Sequence, residues 1–172
     1  MEKSGGAAKL PEYTVGEDGY MLVSDKGVCG FSLYVPAEST VEFSSGLVSV
    51  KLSEGANITL SKSTDTSVSV GDYIKGRMES LKMHVSDFED LTGDKPKATT
   101  IGNLVRDNEA VMCEYTYVYN GEKYHVYQVY CVTYLIYPML PKDGFVFTYT
   151  AKEADYEKNL DTVMEIAKKV VF

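Results

Sequence analysis

Residues 117–130 read YVYNGEKYHVYQVY. An Asn-Gly pair stands between two runs rich in tyrosine and valine, the pattern of two strands closed by a two-residue turn. Both turn residues tolerate the positive φ that such a turn needs. A turn at Asn120-Gly121 fixes the register outward from it. One face then sets Tyr119 against Glu122, Tyr117 against Tyr124, Tyr115 against Val126, Cys113 against Gln128 and Val111 against Tyr130. The other face pairs Val118 with Lys123, Thr116 with His125, Glu114 with Tyr127 and Met112 with Val129. Both faces are mixed and largely apolar toward the strand centres, whereas a sheet with one wet face alternates more cleanly. The tyrosines therefore read mainly as packing, with hydroxyls near water. Exposure is expected at the hairpin tip, at Tyr119 and Tyr124. The same register puts Cys113 and Cys131 on opposite faces, where they should not bond each other unless a bulge intervenes.

Working outward, GYMLVSD and VCGFSLYVP read as two short strands joined at Lys26-Gly27, the second ended by Pro36, which cannot donate to a ladder. LVSVKL and NITLSKS form a hairpin with the four-residue loop Ser53-Glu54-Gly55-Ala56. The period then changes. Ile74, Met78, Leu81, Val85 and Phe88 fall at steps of four and three and predict one apolar helical stripe. Ser69 with Asp72 fits a capping box at its start, and Gly93 marks its stop. Strands return with KATTIGNLVR and EAVMCEYTYVY, joined tightly at Asp107-Asn108, then KYHVYQVYCVTYLIY, long enough to require a bend or bulge. A loop from Pro138 to Gly144 leads to FVFTYTA, and a last helix carries Tyr156, Leu160, Val163, Ala167 and Val170 on one face. The order is ββββ-α-ββββ-α, an α+β fold.

A chain of 172 residues, 44% hydrophobic and 24% charged, suits one globular domain. The net charge of -8, with lysines and arginines scattered, argues against nucleic acid and against an anionic lipid surface as partner. No apolar run reaches the length of a bilayer span. Three cysteines without a Cys-x-x-Cys pair, and two distant histidines, argue against a structural zinc. One disulfide plus a free thiol, or three buried thiols, remain open. Residues 1–18, beginning MEKSGGAAKLPE, read as a flexible polar tether ahead of a domain over 19–172. In an exported lipoprotein such a tether follows the lipid-bearing cysteine; on a cytosolic protein it is an ordinary terminus.

Two clusters carry possible chemistry. His125 is diagonal to Glu114 and near Thr116 and Tyr127, and an imidazole poised by a carboxylate can move protons. The same residues equally form a cross-strand polar pair. SDFEDLTGD offers Asp87, Glu89, Asp90 and Asp94, oxygen ligands without the spacing of a calcium loop. His84 is explained by its place near a helix end, and Gln128 by backbone groups it can satisfy. No nucleophile elbow, Walker loop or dinucleotide fingerprint occurs.

GFSLYVP, ITLSKS and the central helix resemble the first half of PsbP-like domains. TTIGN, EAVMCEYTY, VYQVYCV and FVFTYTA, with Tyr156 and Ile166 beyond, resemble the second half. The group includes the extrinsic oxygen-evolving protein of photosystem II, a Ran-binding nuclear import factor and bacterial lipoproteins of the DcrB type. The resemblance implies an α/β/α sandwich around an antiparallel sheet, used for binding or assembly, with no shared catalytic residues and no cofactor. Relatives often place a Trp after the Pro that ends the VP strand. Here AESTVEF follows, with Val41 or Phe43 to fill the space.

The function expected is thus a non-enzymatic binding or assembly module, the soluble domain of an exported bacterial lipoprotein. It would lie in the cell envelope, outside the cytoplasm, anchored through lipid on an upstream cysteine. Its partner would be a protein or small ligand at the cell surface. The candidate binding residues are Tyr119, Tyr124, His125, Tyr127 and Glu114. The alternatives are a hydrolase or small-ligand enzyme built on Glu114, His125 and Tyr127, and a cytosolic protein-binding adaptor.

Overall fold

The structure, a computed structural model, describes residues 15–24, 29–44, 47–63, 66, 69–93, 97–106 and 109–172. Within them the chain forms β1 (Tyr20–Ser24), β2 (Leu33–Pro36), β3 (Thr40–Ser44), β4 (Leu47–Ser53), β5 (Ala56–Ser63) and α1 (Val70–Lys82). It continues with β6 (Ser86–Asp90), β7 (Lys97–Ala98), β8 (Ala110–Tyr119), β9 (Glu122–Ile136) and β10 (Leu140–Lys152). A 3-10 turn, Glu153–Asp155, leads into α2 (Tyr156–Lys169). The main sheet is antiparallel in the order β3-β4-β5-β10-β9-β8-β6, with β7 also on the outer edge of β8; β1 and β2 make a separate pair.

The Asn120-Gly121 turn has φ of +51° and +78°, and every pairing that it dictates is present from Tyr119–Glu122 to Val111–Tyr130. Because side chains alternate along a strand, β9 feeds two cores. Val126, Tyr130 and Val132 join Val111, Cys113, Tyr115 and Val146 beneath Val70, Ile74 and Met78 of α1. Tyr127, Val129 and Cys131 join Ile58, Leu60, Phe145, Phe147 and Tyr149 beneath Tyr156, Val163 and Ile166 of α2. Met21, Val23, Phe31, Leu33 and Val35 complete that second layer, so the β1–β2 pair and α2 share one face. The arrangement is an α/β/α sandwich. Leu160 of the expected α2 stripe is only partly buried, and Ile166 does the packing beside Val163.

The element order departs from expectation in two places, making five strands, a helix, five strands and a helix. The stripe through Val85 and Phe88 is not helical to its end. The α1 helix starts at its Ser69 cap, where Oγ accepts the Asp72 N–H at 3.2 Å, and stops at Lys82. Ser86–Asp90 is instead β6, laid on β8 with Asp87 at φ +48° where the register slips. Phe88 is apolar because it stacks on Tyr115 at 5.3 Å, and Gly93 follows a strand rather than a helix. The second addition is β3, the exposed strand outside β4, in which Val41 packs on the core while Phe43 stays 42% exposed.

Two loops are tighter than expected and one expected strand is mostly a turn. Ser53 pairs with Ala56, leaving Glu54 and Gly55 as a two-residue turn with Gly55 at φ +80°. KATTIGNLVR is not one strand: only Lys97–Ala98 pair with β8, and Ile101 bridges Leu104 around Gly102 and Asn103. The strand β10 starts at Leu140 rather than after Gly144, with register shifts at Pro141 that absorb the length of β9. The expected joins at Lys26-Gly27 and Asp107-Asn108, and residues 1–14 of the tether, lie outside the described residues. Val15 bridges Met21, and Asp18 meets Lys169 at 2.8 Å.

All three cysteines are free; Cys113 and Cys131 are buried in opposite layers and Cys29 is half-buried. Burial pushes the Cys113 thiol up to about 12, and pushes Cys131 further still. A thiolate is the reactive form. At pH 8, one equivalent of thiol, Cys29, should therefore react quickly with a disulfide reagent while two wait for unfolding. Two or three fast equivalents in native buffer would contradict the layer assignment.

Candidate functional site

Glu114 lies at the centre of β8, where β6 and β7 leave a gap along the strand edge. Thr92 fills the gap: its hydroxyl accepts the Glu114 N–H, and Leu91 N–H donates to the Glu114 carbonyl at 2.9 Å. The side chain points toward α2. Its Oε1 is 2.7 Å from Nε2 of His125 and accepts the Tyr156 hydroxyl at 3.1 Å. The His125 ring lies flat on Tyr156, with centroids 3.5 Å apart and 4° between planes. Its other nitrogen, Nδ1, is 3.4 Å from Glu153 Oε2 in the 3-10 turn, and Glu153 also meets Lys123 at 3.7 Å. Desolvation, followed by the Glu114 carboxylate, drives the Tyr156 phenol far above its ordinary range. It stays protonated and serves as a donor. Tyr149, pushed up to about 12 mainly by burial, donates to the Tyr156 carbonyl at 2.8 Å.

This geometry explains what the cluster does chemically. Both imidazole nitrogens face carboxylates, one ring face is covered by Tyr156, and the His125 side chain is 12% exposed. Tyr127, set opposite Glu114, is held protonated by burial. The Thr116 hydroxyl, across from His125, is buried without a hydrogen-bond partner. The register thus places Glu114, His125 and Tyr127 side by side, and the Glu114–His125 pair ties the β8–β9 hairpin to Glu153 and Tyr156 at the start of α2.

On the opposite face, aromatic rings run to the hairpin tip: Phe88 on Tyr115, Tyr115 near Tyr117 at 6.3 Å, and Tyr117 stacked on Tyr124 at 5.5 Å. Tyr119, at the turn, is 54% exposed, whereas Tyr124 is half-buried. Tyr124 walls a hollow of about 330 Å³ over the part of the sheet beyond α1. Alternation builds its floor. Val50, Ile58 and Tyr149 point into the α2 layer, so their strand neighbours Lys51, Asn57 and Thr150 line the hollow, aligned across the sheet with Thr40. Glu42 and Ser49 complete a polar lining.

Glu153 and the polar row on β3, β4, β5 and β10 were not singled out in the sequence, where Tyr156 reads only as a packing residue of the last helix. The row's signal was present in the period-two pattern of LVSVKL and NITLSKS, whose polar positions had to face somewhere. Of the acidic segment, Asp90 accepts the Thr92 N–H at 2.9 Å, Asp87 and Glu89 are exposed on β6, and Asp94 lies outside the described residues. Among the described residues no three acidic, histidine or cysteine side chains converge as a metal site. His84 is exposed just past α1, its N–H donating to the Leu81 carbonyl at 2.9 Å. Gln128 is buried and bonds the Thr148 hydroxyl at 2.9 Å rather than backbone.

No protein-family model matches the chain, and no curated protein matches it in sequence. Solved structures do match in fold. The cyanobacterial PsbP of Synechocystis sp. PCC 6803 (CyanoP) superposes with a TM-score of 0.63 at 14% identity, over 91% of this chain and 94% of that one. The Ran-binding protein Mog1p of Saccharomyces cerevisiae gives 0.55 at 11% identity, over 88% and 94%. A Pseudomonas aeruginosa protein of unknown function gives 0.54 at 15% identity, over 89% and 96%. The chain has the PsbP-like fold shared by these proteins.

Proposed function

We propose that the chain is a non-enzymatic binding or assembly module that receives a protein partner or small ligand at the Tyr119–Tyr124 end of the β8–β9 hairpin. The observation that carries this reading is that Tyr124 belongs to two features at once. It ends the aromatic row and walls the polar hollow of about 330 Å³, so an exposed aromatic edge and hydrogen-bonding groups converge on one concave place. The fold supports the same reading, since a solved structure that shares it is a Ran-binding protein. The enzyme alternative asks Glu114 and His125 to act on a substrate, and those two groups are already engaged with each other, with Glu153 and with Tyr156. The setting we propose is the cell envelope, with a lipid-bearing cysteine ahead of the Ser/Gly/Ala-rich segment SGGAAK.

Two measurements test the two halves. A photo-crosslinking residue at Tyr119 in living cells should give one recurrent adduct, absent when it replaces the exposed Glu157 on α2. The same adducts at both positions would remove the hairpin as the binding place. Intact mass and the N-terminal peptide of the native protein should show a diacylglyceryl cysteine, and an unmodified soluble chain would turn the setting to the cytosolic adaptor.

A further inference from the structure

Residues 135–141, LIYPMLP, form an unbroken apolar and aromatic run that carries the chain from β9 into β10. Hairpin turns are ordinarily built from Gly, Asn, Asp and Ser, because their tips stand in water. Here Leu135 is 65%, Ile136 54%, Met139 77% and Leu140 46% exposed. Successive strand residues point to opposite sides. Exposure of both Leu135 and Ile136 therefore means that the tip stands clear of both layers of the sandwich. Val105, 65% exposed beside the Ile101–Leu104 turn, joins Leu135 at a neighbouring hollow of about 470 Å³ that Tyr137 and Phe172 also line.

We propose that this tip is a membrane-contact element that enters the interfacial zone of a lipid bilayer. Its shape favours a bilayer over a flat protein surface: such a surface covers one side of a protruding strand pair, whereas acyl chains close around both. The rim has the polarity such a position needs. Tyr134 and Tyr137 meet edge to face at 5.2 Å below the tip, the Arg106 guanidinium lies 4.9 Å from the Tyr137 centroid, and Lys142 is exposed on the β10 side. Tyrosine rings and long cationic side chains keep apolar stems in the interface and polar ends at the headgroups. With a net charge of -8 the fitting surface is zwitterionic. So few side chains bind weakly alone and serve to orient the domain.

The chain contains no tryptophan, so Met139→Trp supplies a single reporter. Its emission should move to shorter wavelength with phosphatidylcholine vesicles and be quenched by brominated lipid. Met83→Trp, at the end of α1 near the other end of β9, should do neither. Independently, flotation of the unsubstituted chain with the same vesicles should fall by roughly tenfold in the Leu135→Ser/Met139→Ser variant, which removes exposed apolar groups only. Unchanged emission at both reporters overturns the proposal, and so does an equal shift at both, which is adsorption. A shift that needs no lipid and grows with protein concentration also overturns it, in favour of a second copy covering the tip.

Discussion

Replacing Gly102 by alanine should destabilise the fold by about 3 kcal/mol or more, because overpacking and a left-handed backbone act together. Gly102 has φ +54°, which costs a side-chain-bearing residue in its own right. A Cβ there would also land far inside contact distance of the Val170 carbonyl oxygen. That oxygen belongs to backbone, so no rotamer change relieves the overlap. The turn and the C-terminal segment are further tied together. Gly102 N–H donates to the Ala167 carbonyl at 2.9 Å, and the Asn103 side chain holds both the N–H and the carbonyl of Phe172. Separating them would lift Phe172 from Phe145, a ring contact at 4.8 Å, and loosen the Val171–Ser32 bridge to the β1–β2 pair. The expected loss corresponds to a melting temperature lower by roughly 6–12 °C for a domain of this size. Thermal unfolding followed by circular dichroism measures it, and a shift below about 2 °C would mean that the turn is not fixed against α2.

Tyr156→Ala should cost about 4 kcal/mol and Tyr156→Phe only about 1 kcal/mol, as for a buried aromatic truncated and for a single hydrogen bond removed. The ring is 2% exposed, stacks on His125, and lies 5.0 Å from Tyr149. Phenylalanine keeps both stacks and, because Tyr149 donates to the main-chain carbonyl, that bond too. It loses only the donor to Glu114, whose Oε1 still has His125. Alanine opens a cavity and uncovers the imidazole. Urea unfolding of the two variants separates the cases, and equal losses would make the hydroxyl, not the stacked ring, the element that fastens α2 to the hairpin.

What was legible in the sequence followed from strong local constraints. Asn120-Gly121 admits one turn geometry, and ten residues on either side inherit their register from it, the Glu114–His125 proximity included. Ser69 marked the helix start through a specific side-chain bond. Its end was masked, because Val85 and Phe88 continue the helical spacing by coincidence while Phe88 packs as a strand residue on Tyr115. TVEFS has one partly buried apolar position and exposed neighbours, so β3 left no alternation to read. Glu153 and Tyr156 reach His125 from about thirty residues away, a distance that local periodicity does not carry. LIYPMLP was visible as composition, but only coordinates show that both of its sides face outward.

The pairing of β5 with β10 joins residues 56–63 to residues 144–151 at the middle of the sheet. On the ribosome, the first half of the chain therefore has no central neighbour until nearly all of it has been made, and α2, the cover of one face, comes last. Closing so long a loop before any reward from contacts slows folding. A nascent chain of this topology cannot complete its central sheet through most of its synthesis.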